Sequence, residues 1–437
     1  MSIPVVTVGQ SHEDLVGGLE RLHGPVTVVR RCGELAELLA ACQSGLARAA
    51  VVAEGIDELT ASLVDRLAAV GVTVLALTDD PAEARRLHSI GVATTPMSVD
   101  SVTLASTISE SVGQTFTAAR RRMEPVDAGY ADTSVDLRPA PVHEEPDSGP
   151  RGAGRIVAVW GPAGAPGRTL LAVNIAAELA AEGKTVLLVD ADSYGASVAA
   201  SLGLLDESAG VAQACRLADQ GKLDVGALKR VAAPVFMAKG NFSVLTGITR
   251  ADRWTELRAV ALSTVLEVAQ QVADVVVVDA GFCLEADEEL SFDSMAPRRN
   301  AATLRSIEMA DTVYAIGAAD AIGVPRLVRG LADLARAVPQ ANPRIVLNKV
   351  RPAAVGRSPE RQLNEAWERY GPGRDVEAFL PSDPEACDSA LLAGEVLLET
   401  APESPLRAAI ATLVCASVQQ NGKSSVVYSR ARHRPKR

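Results

Sequence analysis

Apolar residues fall along the first 115 positions in short runs that alternate with amphipathic stretches: Val5–Val8, Leu15–Leu22, Val26–Val29, Leu35–Cys42, Ala49–Val52, Leu63–Val70, Val72–Leu77 and Val102–Ile108. Short apolar runs read as buried strands and longer amphipathic ones as helices, so the rhythm is a repeated βα unit. It predicts a small parallel sheet with helices on both faces. The pattern breaks between Arg120 and Arg155, where RRRMEPVDAGYADTSVDLRPAPVHEEPDSGPRGAGR is rich in Pro, Gly, Asp and Ser and holds no periodic apolar face. It returns at Ile156 and continues to about Gln419. The expected organisation is α/β throughout: a first domain at 1–118, a flexible linker at 119–154, a second domain with a mostly parallel sheet at 155–420, and a basic, disordered tail at 421–437.

The chemistry concentrates in the second domain. A short strand, Ile156–Val159, is followed by Trp160-Gly-Pro-Ala-Gly-Ala-Pro-Gly-Arg-Thr169 and a helical run, Leu170–Ala181, closed by Gly183. Strand, glycine-rich loop and helix form the arrangement in which backbone N–H groups and a helix N-terminus cradle phosphates. A strict phosphate loop has Gly at 162 and Lys at 168, whereas this one has Pro162 and Arg168. By itself the loop is therefore a weak signal, and an ordinary βα turn is the competing reading.

Three later segments strengthen the first reading. Lys184-Thr-Val-Leu-Leu-Val-Asp-Ala-Asp192 is a buried strand ending in carboxylates at i and i+2, which point to the same side. Asp274-Val-Val-Val-Val-Asp-Ala-Gly281 is a second buried strand with an acid, Asp279, at its carboxyl end, as magnesium coordination requires. Arg344-Ile-Val-Leu-Asn-Lys349 ends a later strand with Asn348, whose amide has the groups to read a purine edge. Open α/β sheets bind ligands at the carboxyl ends of their strands, where all of these groups lie.

Composition narrows the class. The chain has 437 residues, 48% hydrophobic and only 3% aromatic, as expected where Ala, Val, Leu and Ile fill the space between helices and a buried sheet. The formal net charge of −11 argues against extensive phosphate contacts with nucleic acid. Six scattered cysteines form no C-x-x-C pair, so they read as reduced, mostly buried thiols in a cytoplasmic protein rather than a disulfide framework or a zinc site. The N-terminus has no basic region before an apolar run, and no apolar stretch is long enough to span a bilayer, which leaves peripheral association with the membrane's inner face as the only membrane role expected.

The residues from 155 to 420 resemble the ParA/MinD family of P-loop ATPases, in particular the CpaE/TadZ branch and the related septum site-determining proteins. The resemblance rests on the loop, Asn174 in TLLAVNIAAELA, the Asp190/Asp192 pair, Asp279, Asn348 and FLPSDPEACDSALLAGEVL. It implies ATP and Mg²⁺ as ligands. Gly164, Ala165, Pro166, Gly167, Arg168, Thr169 and Leu170 would hold the phosphates, and Asn348 with Pro381, Ser382 and Asp383 the adenine. Thr169, Asp190 and Asp279 would lie at the metal, while Asp192 and Arg168 would be the catalytic groups. Two departures stand out: the family's signature lysine, which crosses to the dimer partner, falls on Ala163, and its second lysine on Arg168. Arginine grips phosphate with a planar fork rather than a compact ammonium, so ATP binding is expected with weak or absent hydrolysis. Arg298 or Arg299 is a candidate trans arginine, and Glu285–Asp293 a candidate γ-phosphate-sensing segment.

The first domain resembles a receiver domain without its chemistry. Gly9, Gln10 and Ser11 follow the first strand where paired acids belong, Ala53 and Glu54 follow the third in place of an Asp, and Thr95 precedes Pro96 in place of a Lys. The whole chain thus resembles a nucleotide-switched homodimer that positions pilus-assembly (Flp/Tad type) or division machinery. The alternatives are a DNA-surfing partition ATPase and a catalytically decayed scaffold. Cys283 is alone where an iron–sulfur reductase of this fold would need paired cysteines, and Tyr428 is alone in a tail where a tyrosine kinase would have a cluster.

Overall fold

The computed structural model describes residues 2–9, 13–22, 24–123, 153–204, 209–285 and 298–415, with backbone alone at 13–16 and 114–123. The chain divides into two compact units, the break in sequence falling between Gly152 and Ala153. The expected linker, most of the acidic 285–293 segment and the basic tail lie outside the described residues.

The first unit holds strands β1 (Ile3–Val8), β2 (Val26–Cys32), β3 (Ala49–Val52), β4 (Thr73–Leu77) and β5 (Ala93–Thr95). All are parallel, in the order β2-β1-β3-β4-β5, which is the doubly wound flavodoxin-like order. Ala49–Val52 is buried at every position, as a central parallel strand covered on both faces requires. The last helix, Ser101–Met123, passes the boundary expected at residue 118. Its final residues, TAARRRM, are mostly good helix formers, and the first proline comes only at Pro125.

The second unit is an eight-stranded sheet: β6 (Arg155–Trp160), β7 (Val186–Ala191), β8 (Ala233–Phe236), β9 (Asn241–Leu245), β10 (Val275–Ala280), β11 (Thr312–Ala318), β12 (Pro343–Val350) and β13 (Val376–Pro381). Its order is β13-β12-β11-β6-β10-β7-β9-β8, parallel except for the β8–β9 edge pair. Strand alternation sorts the side chains onto two faces. Val157, Val159, Leu188, Val277 and Ile316 meet the helix Arg168–Ala181 on one face. Ala158, Trp160, Ala315 and Ile345 meet Leu327, Leu331 and Leu334 of the helix Gly323–Ala337 on the other.

The helix Arg168–Ala181 is buried at every position from Leu171 to Ala180, so its polar side chains need internal partners. Asn174 donates to the Leu170 carbonyl at 2.8 Å and accepts from the Leu397 amide at 2.9 Å. Glu178 receives a two-pronged contact from Arg407 at 2.6 and 2.8 Å, tying residues 405–415 across the helix. The connection after β6 runs to one side of the sheet, through β7, and the one after β11 to the other, through β12. Opposed connections leave a crevice at the carboxyl ends of β6 and β11, the position at which this architecture accepts ligands.

Among the described residues no helix is long and apolar enough to cross a membrane. All six cysteines are free thiols; Cys32, Cys42 and Cys215 are buried, Cys283 and Cys387 half-buried, and Cys415 is exposed, contrary to the expectation that most lie inside.

Candidate functional site

The loop after β6 is shaped by glycines. Gly164 and Gly167 adopt φ of +76° and +87°, a region that side-chain-bearing residues rarely occupy. A Cβ on Gly167 would collide with the Asn348 amide. Gly167 is also the N-cap of Arg168–Ala181, so the loop delivers the chain directly into the N-terminus of a helix of 14 residues. That end carries free N–H groups and the positive pole of the helix dipole.

Strand parity then brings the acids beneath the loop. Asp279 pairs in register with Asp190, and both share a face with Val277 and Leu188, the face covered by the loop's own helix. Thr169, in the first turn of that helix, donates from Oγ1 to Asp279 Oδ2 at 2.6 Å and lies 3.0 Å from Ser197 Oγ. Asp279 is 1% exposed, and its other oxygen, Oδ1, has no hydrogen-bond partner. An orphaned carboxylate oxygen in a buried site is costly unless a ligand or ion meets it. Burial first, then the neighbouring Asp190 charge, pushes the Asp279 carboxyl well above the usual range.

Asp190 lies alongside but is occupied by the backbone: Oδ1 accepts from the Asp192 amide at 3.2 Å, and Oδ2 from the Ser197 and Val198 amides at 3.0 Å each. These three donors favour the ionised form, yet burial outweighs them and pushes the carboxyl up to about 7. In this structure Asp190, expected at the metal, organises the loop that carries Ser197 to Thr169.

Asp192 Oδ1 accepts from the Tyr194 and Gly195 amides at 2.8 and 3.1 Å, and Oδ2 forms an ion pair with Arg168 at 3.1 Å. Arg168 also donates to the Gly161 carbonyl at 3.1 Å. Its charge is therefore committed to Asp192 and to a carbonyl at the start of the loop, and a phosphate would have to compete with both. Its Cζ stands 5.8 Å from the Phe282 ring, which contacts Tyr194 with 4.7 Å between centroids. Tyr194 donates its hydroxyl to Asn300 at 2.8 Å. Arg299, a candidate trans arginine, lies over the Tyr194 ring of the same chain at 4.1 Å and is engaged internally; Arg298 is exposed. Ser197, Tyr194 and Phe282 carried no signal in the sequence, because their roles depend on which loops the sheet order brings together.

On the far side, the Asn348 amide donates to the Pro166 carbonyl at 2.9 Å while its oxygen accepts from the Lys349 amide at 2.8 Å. It is 3% exposed and braces the loop. Lys349 takes a positive φ of 59° to turn the chain there. The Ser382 amide bonds the Val350 carbonyl at 2.9 Å, which sets Pro381–Asp383 beside β12. Asp383 caps the helix Pro384–Ala393 through Ala386 at 3.2 Å and accepts from Ser404 at 2.6 Å.

Asp190, Asp192 and Asp279 thus lie near the helix N-terminus with one arginine, Arg168, paired to Asp192. The residues fit a magnesium–phosphate group: a divalent cation would balance the excess negative charge and meet Asp279 Oδ1. Among the described residues no cluster of three or more His, Cys, Asp or Glu could hold a metal ion.

The second unit is similar to known proteins. No curated relative matches the chain. Among solved structures, the cell division ATPase MinD from Pyrococcus furiosus is 18% identical, covering 61% of this chain and 99% of its own, with a TM-score of 0.48. The septum site-determining protein MinD from Pyrococcus horikoshii, complexed with Mg-ADP, is 17% identical over 60% and 94%, with a TM-score of 0.46. Cobyrinic acid a,c-diamide synthase from Mycobacterium smegmatis, with bound ADP and magnesium, is 18% identical over 62% and 96%, at 0.43. A family profile, that of the CobQ/CobB/MinD/ParA nucleotide binding domain, matches residues 157–392, more than half of the chain and the whole stretch from the phosphate-type loop to Pro384–Ala393. With that match added to a glycine-shaped helix N-terminus above a buried Asp279, the chain belongs to the CobQ/CobB/MinD/ParA nucleotide-binding domain family.

Proposed function

We propose that the chain is an ATP–Mg²⁺-binding MinD/ParA-like protein that uses nucleotide-dependent dimerisation to localise or regulate pilus-assembly or septum machinery. The observation that carries ATP–Mg²⁺ binding is the unpartnered, buried Asp279 Oδ1 beside Thr169 at the first turn of the loop's helix. Magnesium, when bound, would neutralise negative charge on the phosphates. Thr169 and Asp279 would hold it, the Gly164–Thr169 backbone would receive the phosphates, and the Asn348 and Pro381–Asp383 side would receive the base. Asp192 would orient the attacking water only when released by Arg168.

The ion pair between Arg168 and Asp192 supports slow turnover, because each would have to leave the other before acting on nucleotide or water. Turnover is expected well below the roughly 10 s⁻¹ of a median enzyme. In this reading the first unit is a receiver-like docking or dimerisation module without phosphoacceptor chemistry. The loops after Asp192 and Asp279 share the contacts of Tyr194, Phe282 and Asn300, so ordering one by a bound phosphate orders the other and alters the surface offered to a second copy. The test is a thermal melt of the full chain with and without Mg²⁺–ATP, followed by sedimentation in the same conditions. A ligand at about 100 times its Kd stabilises by about 2.7 kcal/mol. An unchanged melt rejects nucleotide binding, and a dimer indifferent to ATP rejects the switch.

A further inference from the structure

Both cations expected of the loop are missing from it: Ala163 has no charge, and Arg168 is committed to Asp192 and the Gly161 carbonyl. A third cation stands there instead, from an element remote in sequence. A Cβ built on Gly164 would lie 2.5 Å from Nη1 of Arg326, so this guanidinium rests against the bend of the loop. Gly330 explains the approach. A Cβ there would come within 2.9 Å of Pro162 and 3.3 Å of Trp160, so only a glycine lets the helix Gly323–Ala337 press against the loop. Arg326, one turn earlier on the same side of the helix, is then set over Gly164.

Among the described residues the Arg326 side chain makes no hydrogen bond or ion pair. The carboxylate nearest in effect, Asp320, accepts from the Ile322 and Gly323 amides at 3.0 and 2.7 Å. Those bonds first, with Arg351 and Arg326 assisting, hold the Asp320 carboxyl below the usual range. Arg326 also lines an open cleft of about 580 Å³ with Ala163, Phe282, Glu285, Arg329, Asp333 and Arg336, the last two paired with each other.

We propose that Arg326 is a phosphate-binding residue that supplies, within the same chain, the cation at the terminal phosphate of ATP that neither Ala163 nor Arg168 provides. The inference rests on the ATP-binding reading above. An arginine placed in cis beside the transferred phosphoryl group is an established chemical solution to this need, since its planar fork contacts two phosphate oxygens at once. Arg326 meets the loop near its start and Thr169 with Asp279 lies at its end, so the guanidinium and the metal site would reach bound phosphate from two separate parts of the loop. Arg326 therefore discriminates ATP from ADP, whereas Thr169 and Asp279 serve both.

Calorimetric titration of the full chain with Mg²⁺–ATP and with Mg²⁺–ADP tests this in the wild type and in Arg326→Ala, Arg326→Lys and Arg329→Ala. Arg326→Ala is expected to weaken ATP at least tenfold and ADP less than twofold, with Arg326→Lys intermediate and Arg329→Ala within twofold for both. A purely structural change would move both nucleotides together. An ATP-to-ADP affinity ratio that is the same in Arg326→Ala as in the wild type overturns the assignment and leaves nucleotide binding intact. A wild-type chain that binds neither nucleotide instead overturns the ATP-binding reading, and this inference with it.

Discussion

The two units are built on one plan, parallel strands between helices, and differ in what stands at the strand ends. In the second unit, Asp190, Asp192, Asp279 and Asn348 are all at most 4% exposed, gathered under one loop. In the first, the buried polar side chains among the described residues are Thr7, Ser62 and Thr95, none of which is acidic. Glu54, at the end of β3, is exposed, and its Cβ and Cγ lie 2.7–2.8 Å from where a Gly9 Cβ would be. A sheet order alone therefore builds a crevice but no chemistry. What separates the two regions is buried charge, which folding tolerates only where partners or ligands meet it.

The largest expected effect tests that difference directly. Asp279→Ala removes both the partner of Thr169 and the oxygen left for a cation. It is expected to lower Mg²⁺–ATP affinity about 100-fold or more in titration of the full chain, and to abolish stabilisation by Mg²⁺–ATP in the melt. The same readings on Glu54→Ala are expected to match the wild type. If the two variants behave alike, the contrast drawn between the strand ends is wrong.

Next in size is a gain. Asp192→Asn removes the charge that holds Arg168, leaving the guanidinium free to turn to phosphate. A hydrogen bond to a charged group contributes about 1.5–3 kcal/mol, so the variant is expected to bind ATP about tenfold more tightly in a filter or calorimetric assay while hydrolysing it more slowly. Weaker binding would mean that the Arg168–Asp192 pair supports the loop and does not compete with the ligand.

A smaller effect comes from protons. The Asp190 carboxyl is raised to about 7 by burial, and Asp279 is raised as well. An ordinary Asp titrates near 3.9. Between roughly pH 4 and pH 7 the folded state thus holds a proton that the unfolded chain has lost, and this contribution to stability falls as pH rises through that window. Mg²⁺ beside the same acids favours their ionised forms, so Mg²⁺–ATP binding near neutral pH releases protons. Calorimetry in two buffers of different ionisation enthalpy should report a fractional proton released, and proton uptake would contradict the sign.

The sequence disclosed the face but not the neighbours. Alternation along VLLVDA, VVVVDA and RIVLN already puts Asp190, Asp279 and Asn348 on common sides of their strands, and the glycines of the loop mark a βα turn of special shape. Register was hidden: nothing local says that Asp279 faces Asp190, because strand order is decided by the packing of whole helices. The partner of Arg168 lies 24 residues away, and Arg326 reaches the loop only because Gly330 permits close approach. Asn174 was legible as a member of a motif, but its work, joining Leu170 to Leu397, is visible only once the helix is seen to be buried all round. The first unit's last helix runs past residue 118, where charged arginines read equally well as linker or as helix surface.

The smallest expected effect concerns the first unit, where the comparison requires that little happen. In the proposed receiver-like reading Glu54 stands after β3 at the phosphoacceptor position, where a fixed negative charge would act as a permanent mimic. Its surroundings argue otherwise. The carboxylate is exposed and makes no ion pair among the described residues, while the stem is held against Gly9, whose φ of +96° bends the chain after β1. Charge at an exposed, unpaired position contributes little to stability. Glu54→Gln, which keeps the stem and removes the charge, should change the unfolding free energy by no more than about 0.5 kcal/mol and leave nucleotide affinity unaltered. Incubation of the full chain with a small phosphodonor should likewise add no stable mass to residues 1–118. Either a covalent phosphate there or a Glu54→Gln variant with altered ATP-dependent sedimentation would place chemistry at the strand ends of both units, and the distinction between them would then be one of degree.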